Sequence, residues 1–210
     1  MTGKLEATTD ATLEPPDDSD RFDRVSMALH WLTVLLIVIQ FSSVWLLKIV
    51  DEKSAIGLAI LGTHRGSGVL VWVIGLARLL WRHNFAYLPP FPASMPKLQQ
   101  TIAKANEYSL YVLLLVQPIT GLGRVLLRGH PFNLFFWEVP ALFEPNDHIR
   151  HLMVEAHEVG ANLLLALIGF HVGAALFHRL VLRDGVLQRM LPRLSVRTKL
   201  IPTLAESEAE

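Results

Sequence analysis

Four histidines lie inside or at the ends of long apolar runs: His30, His64, His157 and His171. His178 follows the last of them by one heptad. Ionisable side chains at membrane depth are costly to bury, so each marks a candidate functional site. His157 and His171 are separated by 14 positions. On an α-helix that puts them about 40° apart around the axis and about 21 Å apart along it, facing one way at two depths. His64 enters from the same side of the membrane as His157, and His30 from the same side as His171. Two imidazole pairs at two depths are what two stacked bis-imidazole haems require, with neighbouring helices supplying the axial ligands. Histidines in membrane helices also serve interhelical hydrogen bonds, proton paths or other metals. His178 competes with His171. Counted from Arg183 it matches the shallow depth of His30 better, and the two are about 20° apart on one helix, so direction does not separate them.

These residues need elements to hold them. The chain has 210 residues, of which 51% are hydrophobic and 18% charged, and the apolar residues come in blocks. Four blocks are long enough to cross a hydrocarbon core, which takes about 20 residues of helix. They run over 25–50, 56–81, 108–127 and 154–182. Each must be helical, because lipid offers backbone groups no hydrogen bonds. The fold class is therefore all-α, an integral membrane four-helix bundle. Residues 1–23 are polar, acidic and proline-containing and read as a disordered tail. The membrane domain covers 24–193, and 194–210 form a short C-terminal tail. Pro89, Pro90, Pro92 and Pro96 punctuate the second loop, and Pro131, Pro140 and Pro145 the third. Gly185 is the expected stop of the last helix. Gln117-Pro118-Ile119-Thr120-Gly121 puts a proline kink and small or polar groups mid-membrane. Gly62, Gly66 and Gly68 around His64, with Gly160 and Gly169, allow close approach of helices or of a flat ring.

Charge sets orientation and excludes partners. Thirteen of the 19 Lys and Arg lie on the side of the two termini and the middle loop, and six on the other. The positive-inside rule puts both termini in the cytoplasm. Net charge is zero, which gives no case for a nucleic-acid partner, and the absence of cysteine excludes disulfides, thiolate clusters and covalent haem attachment. Arg65, Arg124, Arg128 and Arg150 gather near the external ends of the spans. They are candidates to steer a small anion, to pair with propionates or to sit among headgroups.

Met27-Ala28-Leu29-His30-Trp31-Leu32, His64-Arg65-Gly66-Ser67-Gly68, Arg128-Gly129-His130-Pro131, Ala156-His157-Glu158-Val159-Gly160-Ala161-Asn162, Gly169-Phe170-His171 and Arg183-Asp184-Gly185 resemble the bacterial cytochrome b561 family. The likeness covers roughly 24–193. It implies two haem b groups per chain, with His30 paired to His171 and His64 to His157, which favours His171 over His178. It implies an inner-membrane oxidoreductase moving single electrons between the periplasmic side and the quinone pool. A superoxide oxidase of this family passes electrons from superoxide to ubiquinone. The wider group includes cytochrome b subunits of membrane hydrogenases, so the alternative is an electron-transfer subunit fed by a periplasmic redox protein. Glu158, His178 and Gln117 are candidates to assist the protons that quinone reduction consumes.

Overall fold

The computed structural model describes residues 20–192. Residues 1–19 of the expected N-terminal tail and the C-terminal tail lie outside them. Four long helices form the molecule: α1 (Arg24–Leu46), α2 (Ala55–Asn84), α3 (Lys97–Leu126) and α4 (Asp147–Phe177). All four are long and apolar enough to span a membrane. A short antiparallel hairpin, β1 (Phe132–Leu134) and β2 (Trp137–Val139), lies between α3 and α4.

The helix starts follow from side chains that satisfy orphan N–H groups. Asp23 accepts from Ser26 N–H, Ser54 from Gly57 N–H and Asn146 from Ile149 N–H. Burial raises the Asp23 carboxyl, but hydrogen bonds from Ser26 and from Trp81 Nε1 outweigh it and hold the group below the usual aspartate range. Pro96 opens α3 without a side-chain cap, its fixed φ suiting that position.

Several boundaries differ from expectation, and α4 begins seven residues before its apolar run, at Asp147 rather than 154. α3 begins 11 residues before the apolar run, at Lys97 rather than 108. Its polar first turns are held by packing that hydropathy does not register: Asn106 is buried, and Glu107 pairs with Arg82 of α2 at 2.9 Å. The last helix stops at Arg183, which takes the left-handed cap at φ 53°, two residues before Gly185. A π-helical turn, His178–Leu182, precedes it. The third loop carries the hairpin, bracketed by Pro131 and Pro140. α3 runs through Pro118 without ending.

α1 packs on α2, α2 on α3 and α3 on α4. The apolar core is small: Leu36, Val71 and Leu114 meet, with Ile37 and Ile74 against them. Much of the rest faces outward, including Leu35, Val38, Leu70, Leu163 and Val172. In water such a surface would aggregate; in lipid it is the solvated face. α4 buries Leu164 alone and packs closely only on α3, so it stands off from α1 and α2. The histidines bridge that separation.

Candidate cofactor site

At the hairpin end, His64 of α2 faces His157 of α4 with ring centroids 6.4 Å apart and planes at 83°. Nearer the termini, His30 of α1 faces His171 of α4 at 6.2 Å and 59°. Two metal–imidazole bonds of about 2 Å, plus twice a ring radius of roughly 1.2 Å, predict a centroid separation of about 6.4 Å for imidazoles sharing one metal ion. Both pairs fit a common axial metal, and neither pair is joined by a direct hydrogen bond.

The hydrogen-bond network presents the correct nitrogen at the hairpin end. Ser43 Oγ donates to Gln40 O, so it accepts from His64 Nδ1–H at 2.9 Å. His157 Nδ1 lies 3.1 Å from Gln117 O, which can only accept, and 3.2 Å from Thr120 Oγ1. Each ring therefore carries its proton on Nδ1 and leaves its Nε2 without a hydrogen bond among the described residues. A hydrogen bond of this kind fixes the tautomer of metal-binding histidines. Gln40 Nε2 ties α1 to His64 O and to Ser67 Oγ, and Gln117 Nε2 ties α3 to His157 O. The second pair lacks such a frame. His30 Nδ1 is buried with no hydrogen-bond partner among the described residues, and His171 is exposed.

A cavity of about 580 Å³ opens beside the first pair, bounded by all four helices. That lies within the roughly 300–1,000 Å³ of small-molecule and cofactor sites. His64, His157 and Gln117 line it, as do Lys48, Arg65, Arg124, Arg128 and Arg150 against the carboxylates of Glu52 and Glu158. The four arginines predicted to gather there do so, but they are not equivalent. Arg65 lies over the Phe132 ring and donates to Asn133 O, holding the hairpin. Arg150 pairs with Asp147. Arg124 and Arg128 are exposed, with no carboxylate partner among the described residues.

The glycines also divide. A Cβ on Gly62 or Gly66 would strike the carbonyl or ring of Phe135, which forms the hairpin turn at φ 51° and donates its N–H to Gly62 O. These two residues admit the hairpin rather than a flat ring. Gly121 admits His157, whose Cε1 would lie 2.9 Å from an added Cβ.

His178 stands apart from both pairs. It is buried, its Nδ1 is 2.5 Å from Asp184 Oδ2, and its Nε2 is 3.0 Å from the Gln99 amide. Both ring nitrogens are engaged. His83, His130 and His148 are exposed. Arg78, which α2 carries to the depth of His30 and His171, is not singled out as a site residue by the sequence. Its signal was present, since it follows His64 on α2 by the same 14 positions that separate His157 from His171.

A family model described as prokaryotic cytochrome b561 matches residues 21–193. The chain is 32% identical over 177 residues to cytochrome b561 homolog 1 of Escherichia coli K12, covering 83% of this chain and 98% of that one. It is 26% identical over 173 residues to the probable superoxide oxidase CybB of Yersinia pestis, covering 82% and 97%. Cytochrome b561 homolog 2 of E. coli K12 is 26% identical over 178 residues, covering 84% and 94%. The chain belongs to the prokaryotic cytochrome b561 family, membrane electron-transfer proteins that bind haem b.

Proposed function

We propose that this protein oxidises superoxide at one face of the bacterial inner membrane and delivers the electrons to ubiquinone, holding two haem b groups per chain. The balanced reaction takes two superoxide anions, one quinone and two protons to two dioxygen molecules and one quinol. His64 and His157 hold one haem, and His30 and His171 the other. Bound haem supplies reversible one-electron chemistry, for which the protein contributes ligands, orientation and electrostatics.

The observation that carries this reading is the coincidence of an imidazole pair at bis-ligand spacing with a cationic cavity. Five cations against two carboxylates make the opening attractive to a small anion, and low-dielectric walls focus that field. Arg124 and Arg128 serve as the steering pair, while Arg65 shapes the rim through the hairpin. Ser43, Gln117 and Thr120 keep the two imidazoles oriented. The charge bias of the loops supports a periplasmic cavity and cytoplasmic termini. The relative described as a probable superoxide oxidase supports the choice of donor.

The test is stopped-flow mixing of the oxidised, detergent-purified protein with superoxide. Reduction of the haem bands is expected, with faster reaction at low ionic strength. No reduction in a protein with intact spectra would sink the superoxide reading and favour the electron-transfer subunit fed by a redox protein partner.

A further inference from the structure

Arg78 lies where the fold would place a third group around the His30 and His171 pair. On α2 it follows His64 by 14 positions, as His171 follows His157 on α4. Both intervals span about 21 Å and about 40° of rotation, so α2 and α4 present corresponding residues at both depths. Where α2 offers a histidine near the hairpin, it offers a guanidinium near the termini. Ser26, one turn before His30 on α1, lines the same cleft as Arg78.

That guanidinium is half-buried, and its surroundings leave it without a counter-charge. It lies 5.2 Å from the centroid of Tyr111, a buried ring on α3. The neighbouring carboxylates are committed elsewhere. Glu107 pairs with Arg82, and Asp23 accepts from Ser26 and Trp81. No described carboxylate bonds to Arg78. A small cleft of about 40 Å³ lies beside it, shared with Ser26, Arg82, Glu107, Tyr111 and Met190. A cation at membrane depth needs an anion, and the planar guanidinium fork matches a carboxylate.

We propose that Arg78 anchors a propionate carboxylate of the haem held by His30 and His171, and sets that haem's reduction potential. This rests on the ligand assignment above. The other oxyanion within reach of a helix end is a lipid phosphate, which would leave together with the guanidinium, so that Arg78→Gln would change the charge at the haem little.

The experiment is a spectroelectrochemical titration of purified, haem-loaded wild type, Arg78→Gln and Arg78→Lys. His171→Ala identifies which redox wave belongs to this site. Removing a cation disfavours the added electron. Arg78→Gln should therefore lower the potential of that wave alone by about tenfold in the reduction equilibrium, 59 mV for one electron. Arg78→Lys should recover part of the shift. Should Arg78→Gln lose this haem, retention by Arg78→Lys supports the anchor, and loss from both overturns it. Unchanged potentials in Arg78→Gln, or an equal shift of both waves, overturn the proposal. A wild type in which His171→Ala removes no haem overturns the ligand assignment itself, a result visible before Arg78 is touched.

Discussion

Replacing Gly121 by alanine adds one methyl group and should remove the haem nearest the hairpin. A Cβ there would sit 2.9 Å from Cε1 and 3.2 Å from Nδ1 of His157, where ordinary contact begins at 3.4 Å. The imidazole must retreat by the difference, about 0.5 Å, because α3 backbone carries the new carbon. Metal–ligand distances tolerate about 0.2 Å. The retreat also stretches the 3.1 Å contact from Nδ1 to Gln117 O, which fixes the tautomer. Overpacking of this kind costs about 1–3 kcal/mol in a packed core, and more here if the ligand bond is lost. The assay is haem per chain by pyridine haemochrome, with oxidised and reduced optical spectra. Wild type should carry two low-spin haems and Gly121→Ala one. Gly68→Ala is the control, since its Cβ would meet Gln40 at an ordinary 3.5 Å. A Gly121→Ala protein with two haems and wild-type spectra would refute the reasoning.

Four further outcomes follow from the same geometry. Alanine at His30 or His171 should remove one haem, alanine at His64 or His157 the other, and His178→Ala neither, read from haem per chain. Ser43→Ala deletes the acceptor for His64 Nδ1 and should weaken that site's haem affinity about 10–100-fold, measured by competition with a haem-binding apoprotein. Arg124→Gln with Arg128→Gln should slow haem reduction by superoxide in stopped flow and flatten its salt dependence, with spectra unchanged; an unaltered rate would remove both from steering. Asp23→Ala should cost about 0.5–2 kcal/mol through the lost cap, read as thermal stability in detergent. Because the folded Asp23 carboxyl is held below its unfolded value, its stabilisation is present above about pH 4 and is lost as pH falls through the folded value.

The four spans were legible because hydrocarbon imposes one requirement, a long apolar helix, which composition reports directly. Histidine depth was legible for a related reason: 14 residues on a rigid helix convert sequence distance into height. The start of α3 was not, because Lys97 to Glu107 are polar residues held by lateral contacts, chiefly the Arg82–Glu107 pair, whose partner is 25 positions away in sequence. Gly62 and Gly66 read as space for a neighbouring helix or a macrocycle because small residues announce close approach without naming what approaches. The approaching group is Phe135, which arrives on a hairpin of two three-residue strands, too short to leave a periodic signal. Spacing left His171 and His178 unresolved and the resemblance favoured His171; that Asp184 and Gln99 engage both ring nitrogens of His178 is something spacing cannot report, since it gives direction and depth only.

The placement of α4 has a consequence for stability. This helix supplies one histidine to each imidazole pair, yet among the described helices it packs closely only on α3. Lipid tails are as apolar as leucine, so there is no hydrophobic drive to close α4 against α1 and α2. Direct side-chain links across that separation are therefore few, and a metal shared by two helices is a strong one. Haem should act as a structural tie between α4 and the α1–α2 pair, stabilising the folded state by mass action, about 2.7 kcal/mol at a hundredfold excess over Kd. Protein produced in haem-deficient cells should show a lower melting temperature and faster proteolysis within α4, both reversed by added haemin. Alanine at both His157 and His171 should reproduce the haem-deficient behaviour and be indifferent to haemin. If haem-deficient and haem-replete protein melt together, α4 is held by its contacts with α3 alone and the ligands serve electron transfer without a structural part.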